Sequence, residues 1–321
     1  MKALVFSAPG AASVADIDTP TIGPDEVLVR MKAVGICHSD YGLLEGEYIL
    51  PFSYPVIPGH EWTGEVAEVG SAVKGFKPGD RVVGECAVTD DEHFGFTIDG
   101  AIAEYFKASA TWLHKVPDSL NDTMGALVEP FTIAYAATAN MDASDTVVIM
   151  GAGPIGLCAV ASAAAKGARV IVSEPDPARQ ALASKLGAEV AVNPLEVDIA
   201  ESIAELTKGR GADIVIEASG NARAMASTFD LATFGGRIVN VGINVGARAE
   251  APLGRIVEKA LKVQGNVGSF GIWPAALRFL DRTGIDLSVI VSQQFTLEQS
   301  LEAFQAAERR DENIKIHITN A

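Results

Sequence analysis

The chain has 321 residues, 48% hydrophobic and 21% charged, and its 41 acidic against 25 basic residues give a formal net charge of -16. That length exceeds what one compact core ordinarily serves, so two domains are expected. A surface this acidic repels phosphate backbones and anionic headgroups, which argues against nucleic-acid and membrane partners. The three cysteines, Cys37, Cys86 and Cys158, are an odd number spread far apart and fit a reducing compartment better than a disulfide framework.

Met1-Lys2 runs directly into a short apolar strand without a signal-peptide layout, so a cytoplasmic protein is expected. Strands are predicted at Lys2-Phe6, Glu26-Val34, Gly64-Val69, Arg81-Gly84 and Ala101-Phe106, punctuated by Gly23-Pro24, Lys77-Pro78-Gly79-Asp80 and Asp99-Gly100. No long helical period interrupts them, so this part reads as mainly β, in the manner of a small barrel. From about Thr123 apolar runs of strand length alternate with helical patterns. The strands are Thr146-Met150, Arg169-Ser173, Glu189-Val192, Asp213-Glu217, Arg237-Val241 and Val263-Val267; the helices are Ile155-Lys166, Pro177-Leu186, Asp198-Thr207 and Ala222-Thr233. Such alternation predicts a doubly wound parallel sheet of six strands, an α/β fold covered on both faces. The uncharged stretch from Thr146 to Ala165 could pass for a membrane span, but Gly151, Gly153, Pro154 and Gly156 divide it into strand, turn and helix start. The tail predicts helices at Trp273-Leu280 and Thr296-Arg309, the second opening on a capping-box pattern, and a last strand at Ile314-Ile318.

The turn Gly151-Ala-Gly-Pro-Ile-Gly156 has the form of a dinucleotide-binding fingerprint, and it lies between a predicted strand and a predicted helix. Gly151, Gly153 and Gly156 would allow a tight turn, close approach of backbone to a pyrophosphate, and close packing of helix on strand. Pro154 and Ile155 open the helix whose N-terminus faces the phosphates. Glu174 ends the second strand where an acid would accept hydrogen bonds from the ribose 2′-hydroxyl and repel a 2′-phosphate, which favours NAD over NADP. Arg179 nearby softens that preference, because an arginine can receive a 2′-phosphate.

Cys37 in Gly35-Ile-Cys-His-Ser-Asp40, His60 and Glu61 in Pro58-Gly-His-Glu61, and Glu129 before Pro130 are donor types that zinc accepts. Singly, Cys37 reads as a small buried hydrophobe and His60 as undecided; a carboxylate such as Glu129 in an apolar segment needs a partner. Together with Gly79-Asp-Arg-Val82, Glu129-Pro130 and the glycine turn, these segments resemble the zinc-dependent medium-chain dehydrogenase/reductase family over nearly the whole chain. The glutamate at 129, where many alcohol dehydrogenases carry cysteine, resembles the sorbitol and polyol dehydrogenase branch, with threonine and butanediol dehydrogenases close to it.

The resemblance implies a GroES-like catalytic domain over 1–125, with 269–321 returning to it, and a Rossmann NAD-binding domain over 126–268. It implies Cys37, His60 and Glu61 as zinc ligands, with Glu129 as the fourth, bound directly or through the catalytic water. Asp40 would orient the His60 ring, Ser39 would pass the alcohol proton outward, and Glu61 shares in the catalytic set. His38 matches a pyrophosphate contact, Ala218 and Ser219 would lie beside the adenosine half, and Val241, Gly242, Val267 and Gly268 match loops that line the nicotinamide. A pocket of Tyr41, Phe52, Trp62, Phe94 and Ser269-Phe270 is expected for a small alcohol or ketone, in a homodimer or homotetramer. The chain departs from the family twice. The four-cysteine lobe for a structural zinc is missing, so a single catalytic zinc per chain is expected; Cys86, Asp90 and His93 form a weaker alternative cluster. Gly42 stands where many relatives place a relay histidine. The predicted activity is hydride transfer between NAD and a polyol, sugar alcohol or related secondary alcohol. The competing readings are a zinc-free NAD(P)H-dependent enone or quinone reductase, and a non-catalytic NAD-binding protein.

Overall fold

Strand Glu26–Gly35 organises the first half of the molecule. Its burial alternates as far as Ala33 and then becomes continuous through Gly35, so the end that leads to Cys37 is enclosed on both faces. In the computed structural model, which describes every residue except Val88, Asp90 and Ala321, this strand lies inside a seven-stranded sheet. The order is Val291–Thr296, Lys315–Thr319, Glu26–Gly35, Glu61–Val69, Arg81–Gly84 and Leu113–Lys115, with Tyr105–Ser109 also paired to Glu26–Gly35. Gly35 sits opposite Glu61 on one side and His317 on the other. That register brings Cys37, two residues beyond one strand end, to His60, one residue before the next strand begins.

The chain divides into two compact units, Met1–Glu129 with Gly268–Ala321, and Pro130–Val267. The first unit has a core in which Trp62, Phe94, Phe106 and Trp112 pack edge to face or tilted, with ring centroids 4.6 to 5.8 Å apart. The second unit holds an all-parallel sheet in the order Val190–Val192, Arg169–Ser173, Thr146–Met150, Ala212–Glu217, Ala232–Asn240, Lys262–Gly265. In chain order this is 3-2-1-4-5-6, the doubly wound nucleotide-binding arrangement. Thr146–Met150 is buried along its whole length, as a central parallel strand must be. Among the described residues no helix is long and apolar enough to cross a membrane.

Several predicted elements shift. The strand expected at Ala101-Phe106 is Tyr105–Ser109, and the one expected from Gly64 begins at Glu61. The helix His38–Glu45 falls in the part read as free of helix; at eight residues it is too short to leave a period in the sequence. The tail segment from Thr296 splits into a 3-10 turn, Leu297–Gln299, and a helix, Ser300–Glu308; the Thr296/Gln299 capping box forms. Ala11–Asp16 was missed because its small, largely exposed side chains carry no strand signal.

Candidate functional site

Cys37 is the N-cap of helix His38–Glu45, and the Asp40 carboxylate reaches back to close the cap: Cys37 N–H donates to Asp40 Oδ2 at 2.8 Å. The other oxygen of Asp40 faces His60 Nδ1 at 3.4 Å, and on the far side of the ring Ser39 Oγ lies 3.4 Å from Nε2. Ser39, Asp40, His60 and Glu61 are buried, at 8%, 0%, 5% and 1% exposure, while Cys37 is half-buried. One ligand atom from each of Cys37, His60 and Glu61 can be chosen so that all lie within 4.8 Å of one another. Burial opposes a charged His60 ring, but the Asp40 carboxylate outweighs it and holds the pKa well above the ordinary value. The half-buried Glu129, at the start of helix Val128–Ala137, is outside that group of three. Burial pushes its pKa up to about 7; His60 opposes the rise and Glu61 adds to it.

The donor set fits a zinc ion. Sulfur, imidazole nitrogen and carboxylate oxygen are what zinc accepts. Asp40 Oδ1 and His60 Nδ1 face each other, and Glu61 Oε2 faces the Lys315 ammonium, as buried ion pairs without a hydrogen bond to any neutral group. Asp40 lies behind Nδ1 and Ser39 beside Nε2, as in a carboxylate–histidine–metal series. Asp40, Glu61 and Glu129 gather around Lys315 and the His60 ring.

In the second unit each glycine of the turn has its own reason. Gly151 has φ 98°, a left-handed conformation, and a Cβ there would lie 2.9 Å from Ser219 Cβ. At Gly156 a Cβ would lie 2.0 Å from Gly151 O, so helix Pro154–Ala165 can pack on the turn only without a side chain there. Gly153, the N-cap, has no protein atom within 4 Å of its would-be Cβ. Packing within the chain does not explain its bareness. Glu174 is 6% exposed, with one carboxylate oxygen accepting from Ala152 N–H at 2.7 Å and the other from Asp176 N–H at 3.0 Å. It is therefore built into the turn and is not a surface acid.

The family profile described as alcohol dehydrogenase GroES-like domain matches residues 23–118, and the profile described as zinc-binding dehydrogenase matches 154–282. A sorbitol dehydrogenase of Bacillus subtilis is 34% identical, across 99% of this chain and 97% of that protein. The chain belongs to the zinc-dependent medium-chain dehydrogenase family. The crystal structure of 2R,3R-butanediol dehydrogenase from Bacillus subtilis superimposes with a TM-score of 0.92 at 31% identity, covering 100% of this chain and 99% of that one. A Sinorhizobium meliloti 1021 protein described as a zinc-binding dehydrogenase and bound to NADP gives 0.90 at 29% identity, covering 99% and 98%.

Within this zinc-dependent dehydrogenase fold the remaining predicted residues separate. Ser219 donates to the Glu217 carboxylate from its N–H, at 2.9 Å, and from its hydroxyl, and Ala218 N–H donates to Met150 O. Val241 and Gly242 both donate N–H to Glu217 O; a Cβ on Gly242 would come within 2.3 Å of Gly220 N. Val267 is exposed, Gly268 has φ 74°, and Arg179 is in the first turn of helix Pro177–Lys185. His38 is exposed, with Arg310 donating to its Nδ1 at 2.6 Å. Trp62 and Phe94 are corrections. At 2% and 0% exposure they belong to the aromatic core, and Trp62 follows Glu61 along one strand, so the two side chains point to opposite faces. Tyr41 packs on Phe304 at 5.4 Å and bonds its carbonyl. In the alternative cluster, burial pushes the Cys86 thiol up to about 12, which leaves it inert, and Asp90 lies outside the described residues. The sequence reading missed Lys315, 4% exposed, whose Nζ donates to Ile36 O at 2.9 Å and forms an ion pair with Glu61. Its signal was a lysine inside the apolar strand Lys315–Thr319.

Proposed function

We propose that this chain is an NAD-dependent zinc alcohol dehydrogenase acting on a polyol, sugar alcohol or related secondary alcohol. The observation that carries the reading is the clustering of Cys37, His60 and Glu61 within 4.8 Å, with Asp40 behind the His60 ring. Cys37, His60 and Glu61 would hold one zinc ion, with Glu129 available as a further oxygen. A bound zinc supplies Lewis-acid polarisation of the substrate oxygen. The chain's own residues do the rest. Asp40 keeps the Nδ1 proton of His60 on its own side, leaving Nε2 as the donor atom. Ser39 Oγ, beside Nε2, accepts the substrate hydroxyl proton and passes it toward water. Burial of Ser39, His60 and Glu61 keeps bulk solvent from competing for these contacts. A bound dinucleotide would supply the hydride acceptor, and the turn Gly151–Gly156 would hold its pyrophosphate.

Glu174 supports NAD over NADP, since a carboxylate at the end of the second strand repels a 2′-phosphate. The Bacillus subtilis relatives named for sorbitol and 2R,3R-butanediol support a vicinal diol or polyol as substrate. The test is a panel of sorbitol, other polyols and secondary alcohols, assayed with NAD and with NADP by absorbance of the reduced cofactor. Zinc is measured on the same sample. About one zinc per chain is expected, and NAD is expected to be reduced roughly tenfold faster than NADP or more. Turnover with NADP alone, or undiminished turnover after zinc is stripped, would overturn the assignment.

The glycine turn gives a paired prediction. Gly156→Ala puts a Cβ against Gly151 O and should cost roughly 1–3 kcal/mol of stability. Gly153→Ala meets no protein atom, so its melting temperature should stay at the wild-type value while dinucleotide affinity falls. Equal affinity of Gly153→Ala and wild type, by calorimetric titration with NAD, would remove the pyrophosphate from that position.

A further inference from the structure

Glu217 is the last residue of strand Ala212–Glu217 and is buried, at 0% exposure. The strand lies between Thr146–Met150 and Ala232–Asn240, and Glu217 stands in register with Met150 on one side and Asn240 on the other. The next residues along those neighbours are Gly151, where the glycine turn begins, and Val241. Glu217 therefore sits where these strands release their loops, at the carboxyl ends that border the crevice of a doubly wound sheet. A carboxyl group buried there needs donors, and it has them. Oε1 accepts from the Ser219 N–H at 2.9 Å and from the Ser219 hydroxyl, and Oε2 accepts from the Gly220 N–H at 3.2 Å. The backbone carbonyl of the same residue accepts from Val241 N–H at 2.8 Å and Gly242 N–H at 3.0 Å.

The loops gathered in this way have no slack. A Cβ on Gly242 would stand 2.5 Å from Glu217 Oε2 and 2.3 Å from Gly220 N, and one on Gly151 would stand 2.9 Å from Ser219 Cβ. Asn244 Nδ2 donates to Gly220 O at 3.0 Å, a second tie between the loops that follow the two strands. The Ser219 hydroxyl accepts in turn from Asn221 N–H at 3.0 Å, at the N-cap of helix Ala222–Leu231. We propose that Glu217 is a positioning residue for the dinucleotide. Its carboxylate fixes Ser219 and Gly220 between Gly151 and Gly242, and so sets the distance from the turn that takes the pyrophosphate to the loop expected to line the nicotinamide. The inference rests on the reading of a dinucleotide bound at these strand ends. A glutamine amide would offer one acceptor oxygen; with that oxygen turned to Ser219, its NH2 group faces the Gly220 N–H, donor against donor. Gly220 then has to move, and the displacement passes to Gly242, which lies against it. The carboxylate acts through these backbone groups and need not touch the cofactor.

The test titrates wild type, Glu217→Gln and Ser219→Ala with NAD and with ADP-ribose, by calorimetry on the zinc-loaded full chain. ADP-ribose keeps the adenosine and pyrophosphate and lacks the nicotinamide. Glu217→Gln should bind NAD roughly tenfold more weakly, the scale of one hydrogen bond to a charged group, while its ADP-ribose affinity stays near wild type. Ser219→Ala removes one donor from the carboxylate, so the same selective loss should appear at roughly threefold; this variant decides the matter if Glu217→Gln does not fold. Zinc content should match wild type in both, since Cys37, His60 and Glu61 belong to the other compact unit. A role confined to stability lowers the melting temperature and leaves the ratio of NAD to ADP-ribose affinity unchanged. That unchanged ratio, or an equal loss of both ligands, overturns the positioning role. Wild type that binds neither ligand overturns the dinucleotide reading and this proposal with it. Wild type that shows the expected titrations and oxidises no alcohol overturns the alcohol dehydrogenase assignment alone.

Discussion

Replacing Cys37 by serine is expected to abolish alcohol oxidation and leave the fold standing. Cys37 is the N-cap of helix His38–Glu45, and serine is a preferred N-cap, so the helix start is retained and its cap improved. What is lost is the thiolate. A serine hydroxyl stays protonated near neutral pH and offers zinc a far weaker donor, leaving His60, Glu61 and Glu129 to hold the ion without a thiolate. Zinc content should drop from about one per chain to a small fraction of that. Activity should fall on the order of 10³-fold or more, equivalent to the several kcal/mol that a Lewis acid contributes to the transition state. NAD affinity, carried by the turn Gly151–Gly156, should persist. Metal analysis, calorimetric titration with NAD and the alcohol panel on one preparation separate these expectations. A zinc-free Cys37→Ser protein with wild-type turnover would end the metal-assisted mechanism.

The elements that the sequence made legible are those whose physics is local. Buried parallel strands such as Thr146–Met150 appear as uncharged apolar runs, and helix starts such as Pro177–Lys185 and Ile199–Leu206 are marked by Asp176 and Asp198, which cap them through N–H bonds. The metal-type residues were readable because their side-chain chemistry is rare in combination. What could not be read depends on pairings between distant segments. Lys315 acquires its partner only when strand Lys315–Thr319 lies beside Glu26–Gly35. Trp62 looked like a pocket residue because it neighbours Glu61 in sequence, yet strand alternation sends it to the opposite face. Glu174 was read as a ligand to ribose; its bond to Ala152 N–H shows that the same carboxylate also braces the glycine turn.

Lys315→Met should produce the largest loss of stability of any single change near the metal ligands. The wild-type lysine passes the bare face of Gly35, where a Cβ would stand 2.5 Å from Glu61 Oε2 and 2.9 Å from Lys315 Cε. Its Nζ ties the Ile36 carbonyl, one residue before Cys37, to the Glu61 carboxylate, so one cation joins the two segments that carry the ligands. Burial works against the charged lysine, but Glu61 more than offsets it and raises the pKa, so the ammonium persists at neutral pH. Methionine fills the stem volume and removes only the charge. Glu61, at 1% exposure, is then left without its cation beside Asp40 and Glu129, and stranding one member of a buried pair costs roughly 3–5 kcal/mol. For a chain of this size that corresponds to a melting temperature lower by roughly five degrees. Zinc contributes a competing cation at the same carboxylate, so the loss should be greatest after chelation and smaller in the loaded protein. Scanning calorimetry of wild type and Lys315→Met, each with and without zinc, reads both quantities. A variant that melts with wild type in both states would show that Glu61 does not need Lys315. A deficit of equal size with and without zinc would show that the metal and the lysine do not share that carboxylate, leaving Cys37 and His60 as the ligands to be explained without it.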